Sequence, residues 1–216
     1  MRDQVRIAAV AVDTVPGDTT ANINRLESWT TRAADQGAEL VLFQELSLTG
    51  FVPNHPTGNH EQWLRTALSA ARRSAEPLNG PAVAQLTEIA RAKNILISTG
   101  MLEDAGNLLY NTHILVGHDG LLGHWRKMHI PMFEMPFYNG GGAPQVVDTP
   151  LGRIGANICF DALLPESTRL LAVQNAEIVL FPFAADPPPR TVEGWADWAG
   201  TALKARCAEN GVFGIA

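Results

Sequence analysis

Short blocks of consecutive apolar residues alternate along this chain with longer stretches whose apolar positions recur at helical spacing. Residues 5–12, rich in Val and Ala, read as a buried strand. Residues 20–36 carry Ile23, Leu26, Thr30 and Ala33 near helical spacing, and Gly37 stands where a C-terminal cap belongs. Residues 39–43 form a second apolar strand that runs straight into Gln44 and Glu45. Residues 47–60, with Gly50, Pro53, Pro56 and Gly58, read as a loop. Helices are predicted over 61–75 and 81–93, the second opened by a proline that suits a first helical turn. Strands over 95–101 and 109–116 follow. Asp119-Gly120 then supplies a tight turn into a strand over 121–126, as in a hairpin. Residues 128–143 are irregular and end in Gly140-Gly141-Gly142.

The remainder keeps the same rhythm. Strands over 145–148 and 153–160 flank the turn Thr149-Pro150-Leu151-Gly152, and a helix starts near Pro165. An apolar strand over 177–181 leads into a loop over 182–189. A long helix over 191–209 is stopped by Asn210-Gly211, and a last strand begins at 212–216. Trp195 and Trp198, with Leu203 behind them, mark a packed helix face. Neither a repeat nor a linker divides the chain, so one layered α/β domain over 1–216 is expected. The alternation alone leaves open a doubly wound sheet or two sheets packed face to face.

Composition narrows the class. The 216 residues are enough for a sizeable core; 46% are apolar and 18% charged, ordinary for a globular protein. The net charge of −6 comes without a basic cluster, which argues against nucleic-acid binding. No apolar run approaches the length of a membrane helix, and the N-terminus reads as a strand instead of a signal peptide. Cys159 and Cys207 are the only cysteines, which suggests free thiols and a cytoplasmic setting.

Several residues can carry chemistry. Cys159 ends an apolar strand just before a turn, where backbone N–H groups can face an oxyanion. Taken alone, such a cysteine is more often a buried core thiol. Glu45 closes the strand over 39–43, where partial burial would make it a usable general base; a surface glutamate is the commoner case. Lys127 follows the strand over 121–126 and can hold an oxyanion, keep a thiol ionised, or simply be solvated. Glu134, in Met132-Phe133-Glu134-Met135, either faces water or belongs to a site lined by those side chains. A Cys159–His129 dyad is conceivable. The pairs His124/His129 and His55/His60 lack zinc-site spacing, and His113 and His118 read as structural or exposed. The run Gly140–Gly142 is a weak phosphate-loop candidate, and Arg190 can meet a carboxylate or face solvent.

Taken together, these blocks resemble the nitrilase (carbon–nitrogen hydrolase) superfamily. The resemblance rests on Phe43-Gln44-Glu45-Leu46-Ser47 through Phe51, on Arg126-Lys127-Met128-His129-Ile130-Pro131, and on Gly152 to Asp161 with Leu164-Pro165-Glu166. Arg206-Cys207-Ala208-Glu209-Asn210-Gly211 adds a fourth block. It implies an αββα sandwich, and roles for Cys159 as nucleophile, Glu45 as general base and Lys127 with the Phe160 N–H as oxyanion stabilisers. Glu134 looks like the second glutamate of many members. The resemblance implies no cofactor or metal, a small-molecule substrate, and a homodimer or higher homo-oligomer. Cys159-Phe160-Asp161 resembles the amidase and carbamoylase branches more than the nitrilases. The family normally continues the strand begun at 212–216, so a C-terminally incomplete domain is expected. The alternatives are a catalytically silent interaction module of the same fold, a related acyltransferase and, more distantly, a Cys–His peptidase.

Overall fold

The computed structural model describes residues 4–52, 58–184 and 192–216. One sheet orders its strands as β1 (Ile7–Val10), β2 (Leu40–Phe43), β3 (Leu96–Asp104), β4 (Leu109–Gly117) and β5 (Gly120–Arg126). Its first three strands are parallel, while β4 and β5 fold back as an antiparallel meander. The other sheet orders β6 (Val147–Thr149), β7 (Gly152–Ala156), β8 (Ile178–Leu180) and β9 (Phe213–Ile215), with β7, β8 and β9 parallel. Five helices complete the described residues: α1 (Thr19–Asp35), α2 (His60–Ser74), α3 (Pro81–Lys93), α4 (Pro165–Ala172) and α5 (Val192–Asn210).

Side-chain alternation sets the layers. On one face of the first sheet Val41, Phe43, Ile97, Met101 and Ile114 pack against Ile23 and Leu26 of α1 and Leu86 of α3. On the other face Leu40, Leu42, Leu115 and Trp125 meet Ile154, Ala156, Ile178 and Leu180 of the second sheet. The outer face of that sheet carries Val179, which packs with Phe181, with Leu171 of α4 and with Leu203 and Cys207 of α5. The result is an αββα sandwich, the face-to-face alternative of the two that the alternation allowed. Strand β2 is buried throughout because it lies between helices and the opposing sheet.

Three segments depart from the sequence reading. The strand expected over 153–160 stops at Ala156; Cys159 takes φ 49° and opens a 3-10 turn over Cys159–Leu163. Strand β3 runs on to Asp104, because Glu103 is buried by a partner from β5, Arg126. The loop expected from Ser47 starts as a buried turn: Leu46 has φ 55°, and Leu46, Ser47, Leu48 and Thr49 are fully buried. That turn is latched to β3, where Leu48 N–H donates to the Gly100 carbonyl (2.8 Å) and Ser47 Oγ bonds Thr99 Oγ1 (2.7 Å). His55, Arg190 and the side chains of Trp195 and Trp198 lie outside the described residues. No helix among the described residues is long and apolar enough to cross a membrane.

Candidate active site

Three strand ends converge where the sheets meet. Glu45 lies just past β2, Lys127 just past β5, and Cys159 a short distance beyond β7. The segment after β8 bridges them, with Cys159 N–H donating to Pro182 O (2.9 Å) and Glu45 N–H to Phe183 O (3.3 Å).

Glu45 is 3% exposed and both its oxygens are engaged. Oε1 accepts from Lys127 Nζ (2.9 Å) and Asn111 Nδ2 (2.7 Å), and Oε2 accepts from the Ala184 N–H (2.8 Å). Its position depends on Gly100 of β3, over which the Glu45–Leu46 backbone crosses. A Cβ at Gly100 would stand 2.2 Å from Leu46 N and 2.9 Å from the Glu45 carbonyl carbon.

Lys127 is fully buried, and its ammonium sits between two carboxylates. Nζ donates to Glu45 at 2.9 Å and to both oxygens of Glu134 at 3.0 and 3.2 Å. Burial pushes the lysine down, but Glu45, the Cys159 sulfur and Glu134 outweigh it, so its affinity for the proton is raised and it remains an ammonium. Its backbone is held on both sides: Lys127 N–H donates to Asn111 O and Gly141 N–H donates to Lys127 O, each at 2.8 Å. The glycine run thus serves as a flat support for the lysine. A Cβ at Gly141 would lie 2.6 Å from Arg126 O, and one at Gly140 would lie 2.8 Å from Met128 O.

Glu134 faces inward and is buried, whereas its neighbours Met132 and Met135 are exposed and do not line the site. Burial, with Glu45 adding to it and Lys127 opposing it, leaves the Glu134 carboxyl pushed up to about 7. Cys159 keeps part of its surface open, yet burial of the sulfur and the nearby Glu45 carboxylate raise its thiol well above the ordinary value; Lys127 only partly compensates. At rest Cys159 is therefore a thiol beside the Glu45 carboxylate, not a standing thiolate. Of the uses open to Lys127, stabilising an oxyanion fits this balance better than keeping the thiol ionised. Cys159 begins a short helical turn, and the Phe160 N–H, unpaired among the described residues, is a free donor beside the sulfur.

His129 and His113 are engaged away from the sulfur. His129 Nδ1 bonds Asp161 Oδ1 (2.7 Å). His113 is buried, bonds Ser98 Oγ (2.9 Å) and is pushed down to about 3 by that burial, so it is structural and neutral. Among the described residues no group of three potential ligands could hold a metal ion. Sequence reasoning missed Asn111 and Ala184, whose contacts here reach across distant segments, and offered Gly141 only within a phosphate-loop candidate; Asp161 was noticed only as part of a motif.

This arrangement couples a thiol to a carboxylate, with an ammonium and a backbone N–H beside them, which is an outfit for nucleophilic acyl chemistry. A family model described as carbon-nitrogen hydrolase matches residues 6–216. Nitrilase 1 of Arabidopsis thaliana is 31% identical over 220 residues, covering 97% of this chain and 60% of the relative. An (R)-stereoselective amidase of Pseudomonas sp. is 30% identical, covering 92% and 65%. The crystal structure of an amidase from Nesterenkonia sp. superposes with a TM-score of 0.75 at 25% identity, covering 96% of this chain and 73% of that one. The chain thus spans about three fifths of the length of the first of these relatives.

Proposed function

The chain belongs to the carbon–nitrogen hydrolase family, and from that premise we propose that it hydrolyses a small amide or N-carbamoyl compound through a cysteine acyl-enzyme, releasing ammonia. The observation that carries this reading is the Lys127 ammonium fixed between Glu45 and Glu134, beside the Cys159 thiol.

An amide carbon is a poor electrophile, so a covalent intermediate divides one difficult step into two. Glu45 takes the Cys159 proton as the sulfur attacks the carbonyl carbon. The oxygen gains negative charge and is met by the Lys127 ammonium and the Phe160 N–H, a stabilisation on the order of a few kcal/mol. Collapse breaks the carbon–nitrogen bond, and the proton held on Glu45 goes to the departing nitrogen, giving ammonia and a thioester. Glu45 then takes a proton from water as that water attacks the thioester. Collapse of the second adduct returns the proton to sulfur and frees the acid. Glu134 braces Lys127 and, with its raised affinity for a proton, can hold the substrate's amide group in line. None of these steps calls for a cofactor or metal.

Amide or carbamoyl substrates are preferred over nitriles because Cys159 is followed by Phe160 and Asp161. The relatives include an N-carbamoylputrescine amidase of Solanum tuberosum and a citrullinase of Francisella tularensis, each under 30% identical, beside the plant nitrilases. The test is ammonia release from a panel of small amides, N-carbamoyl amino acids, N-carbamoyl amines and nitriles, with wild type beside Cys159→Ala. Release that vanishes in Cys159→Ala supports the reading. Release that survives the substitution, or folded wild-type protein silent across the whole panel, refutes it.

A further inference from the structure

Asp161 stands two residues beyond the nucleophile and is 2% exposed, yet most of its hydrogen bonds leave its own turn. Its carboxylate accepts from the His129 N–H at 2.8 Å, from His129 Nδ1 at 2.7 Å and from the Met128 N–H at 3.1 Å. The bond within the turn, from the Ile158 N–H, is the longest at 3.4 Å. A carboxylate that merely capped the 3-10 turn would show the opposite preference. Met128 directly follows Lys127, which stands at the end of the first sheet; Asp161 closely follows Cys159, which stands at the end of the second. The two elements belong to separate sheets and share no ladder hydrogen bonds.

We infer that Asp161 is a positioning residue that clamps the Cys159 turn of one sheet to the Lys127 strand end of the other. The clamp fixes the distance between the sulfur and the ammonium that must meet the same carbonyl group, one bonding carbon and the other stabilising oxygen. It also holds a strained element in place. Cys159 is a non-glycine residue at φ 49°, a conformation that is costly for a side chain and persists only where its surroundings impose it. The bonds at Asp161, with that from Cys159 N–H to Pro182 O, supply that constraint. The inference rests on the reading of Cys159 as nucleophile, but its geometry can be tested without turnover.

The experiment uses Asp161→Asn, which keeps the shape but turns an amide N–H₂ toward backbone donors. Two readouts are taken from the full chain. One is kcat and KM for the best amide of the panel. The other is the rate of alkylation by iodoacetamide at Cys159 relative to Cys207, followed by peptide mass spectrometry, so that Cys207 is an internal standard for global loosening. A displaced clamp should lower kcat by about a hundredfold with KM changed by less than about threefold, and lower the Cys159/Cys207 rate ratio by about tenfold. A structural role alone would lower the melting temperature and leave both readouts of the folded protein near wild type. A rate ratio within about threefold of wild type, or raised, overturns the inference. If Asp161→Asn does not fold, Asp161→Glu, which retains both oxygens and the charge but sets them one methylene further out, is read by the same criteria. Wild type silent toward every amide, with the ratio still dependent on Asp161, would sink the proposed chemistry and leave the clamp standing. Turnover with an unchanged ratio would do the reverse.

Discussion

Replacing Gly100 by alanine tests whether the seat of Glu45 is set by a residue that touches no substrate. Gly100 has no left-handed φ, so its backbone conformation suits alanine, and in open space the change would slightly stabilise the chain by restricting its unfolded state. The obstacle is contact. The new Cβ would lie 2.2 Å from Leu46 N, 2.9 Å from Glu45 C and 3.1 Å from Glu45 Cα, all backbone atoms, where ordinary contact begins at 3.4 Å. Relief therefore needs 3.4 − 2.2 = 1.2 Å of displacement. Strand β3 is held by β2 up to Ser98 and by β4 along its length, Gly100 opposite His113, so the Glu45–Leu46 turn is the part that yields. Carried through to Glu45 Oε1, that shift stretches its bonds of 2.7 and 2.9 Å toward 4 Å, beyond hydrogen bonding. Overpacking of this kind costs about 1–3 kcal/mol of stability, and misplacement of a base by about 1 Å costs about a hundredfold in rate. The assay is kcat for ammonia release together with the thermal midpoint. Gly142→Ala serves as the control, because a Cβ there meets nothing within 4 Å. Gly100→Ala that matches Gly142→Ala in both measurements would refute the reasoning.

Lys127→Met leaves two buried carboxylates without their cation and should destabilise the fold by about 3–5 kcal/mol, with kcat lowered at least about a hundredfold. Because the stranded carboxylates take up protons, urea unfolding should show the deficit shrinking at acid pH, and a deficit that is flat with pH contradicts the burial argument. Glu134→Gln should flatten the pH dependence of stability. A carboxyl raised from 4.5 to about 7 binds more protons folded than unfolded, so its contribution is most favourable below 4.5 and is lost as pH rises toward 7. A rise from 4.5 to about 7 sets a ceiling of about 3 kcal/mol on that loss. Denaturation midpoints at pH 5 and pH 8 that respond identically in wild type and Glu134→Gln would rule it out.

Much of the fold was legible because its signals are local. Helix α3 begins at Pro81 and ends at Lys93 as read, since proline suits its first turn and Asn94 takes the left-handed cap. Strand β2 was found from its unbroken apolar run, and Glu45 and Lys127 from their places after strands. What failed depends on partners far along the chain. The run over 153–160 looks like one strand, yet ends at Ala156 because the Cys159 N–H is drawn to Pro182 O. The strand read over 95–101 continues to Asp104, because Arg126 pairs with Glu103 and lets it be buried. The glycine run at 140–142 offered a phosphate-loop pattern, whereas its use is close approach to the backbone on either side of Lys127. Nothing within the turn announces that Asp161 reaches His129, 32 positions earlier.

The Cys159 thiol and the Glu45 carboxylate stand at the ends of opposite sheets of the sandwich, and this makes the gap between the layers a chemical quantity. Side chains filling that gap, Trp125, Leu115 and Ile154 among them, act as spacers of fixed thickness between the two halves of the proposed reacting pair. Trimming or swelling a spacer would change how far the proposed proton transfer must reach, even when no residue near the sulfur is altered. The layer beneath α1 and α3 carries no such duty, since both its sides belong to the half that holds Glu45. Substitutions there can drift as far as stability permits, while those between the sheets are judged on geometry as well.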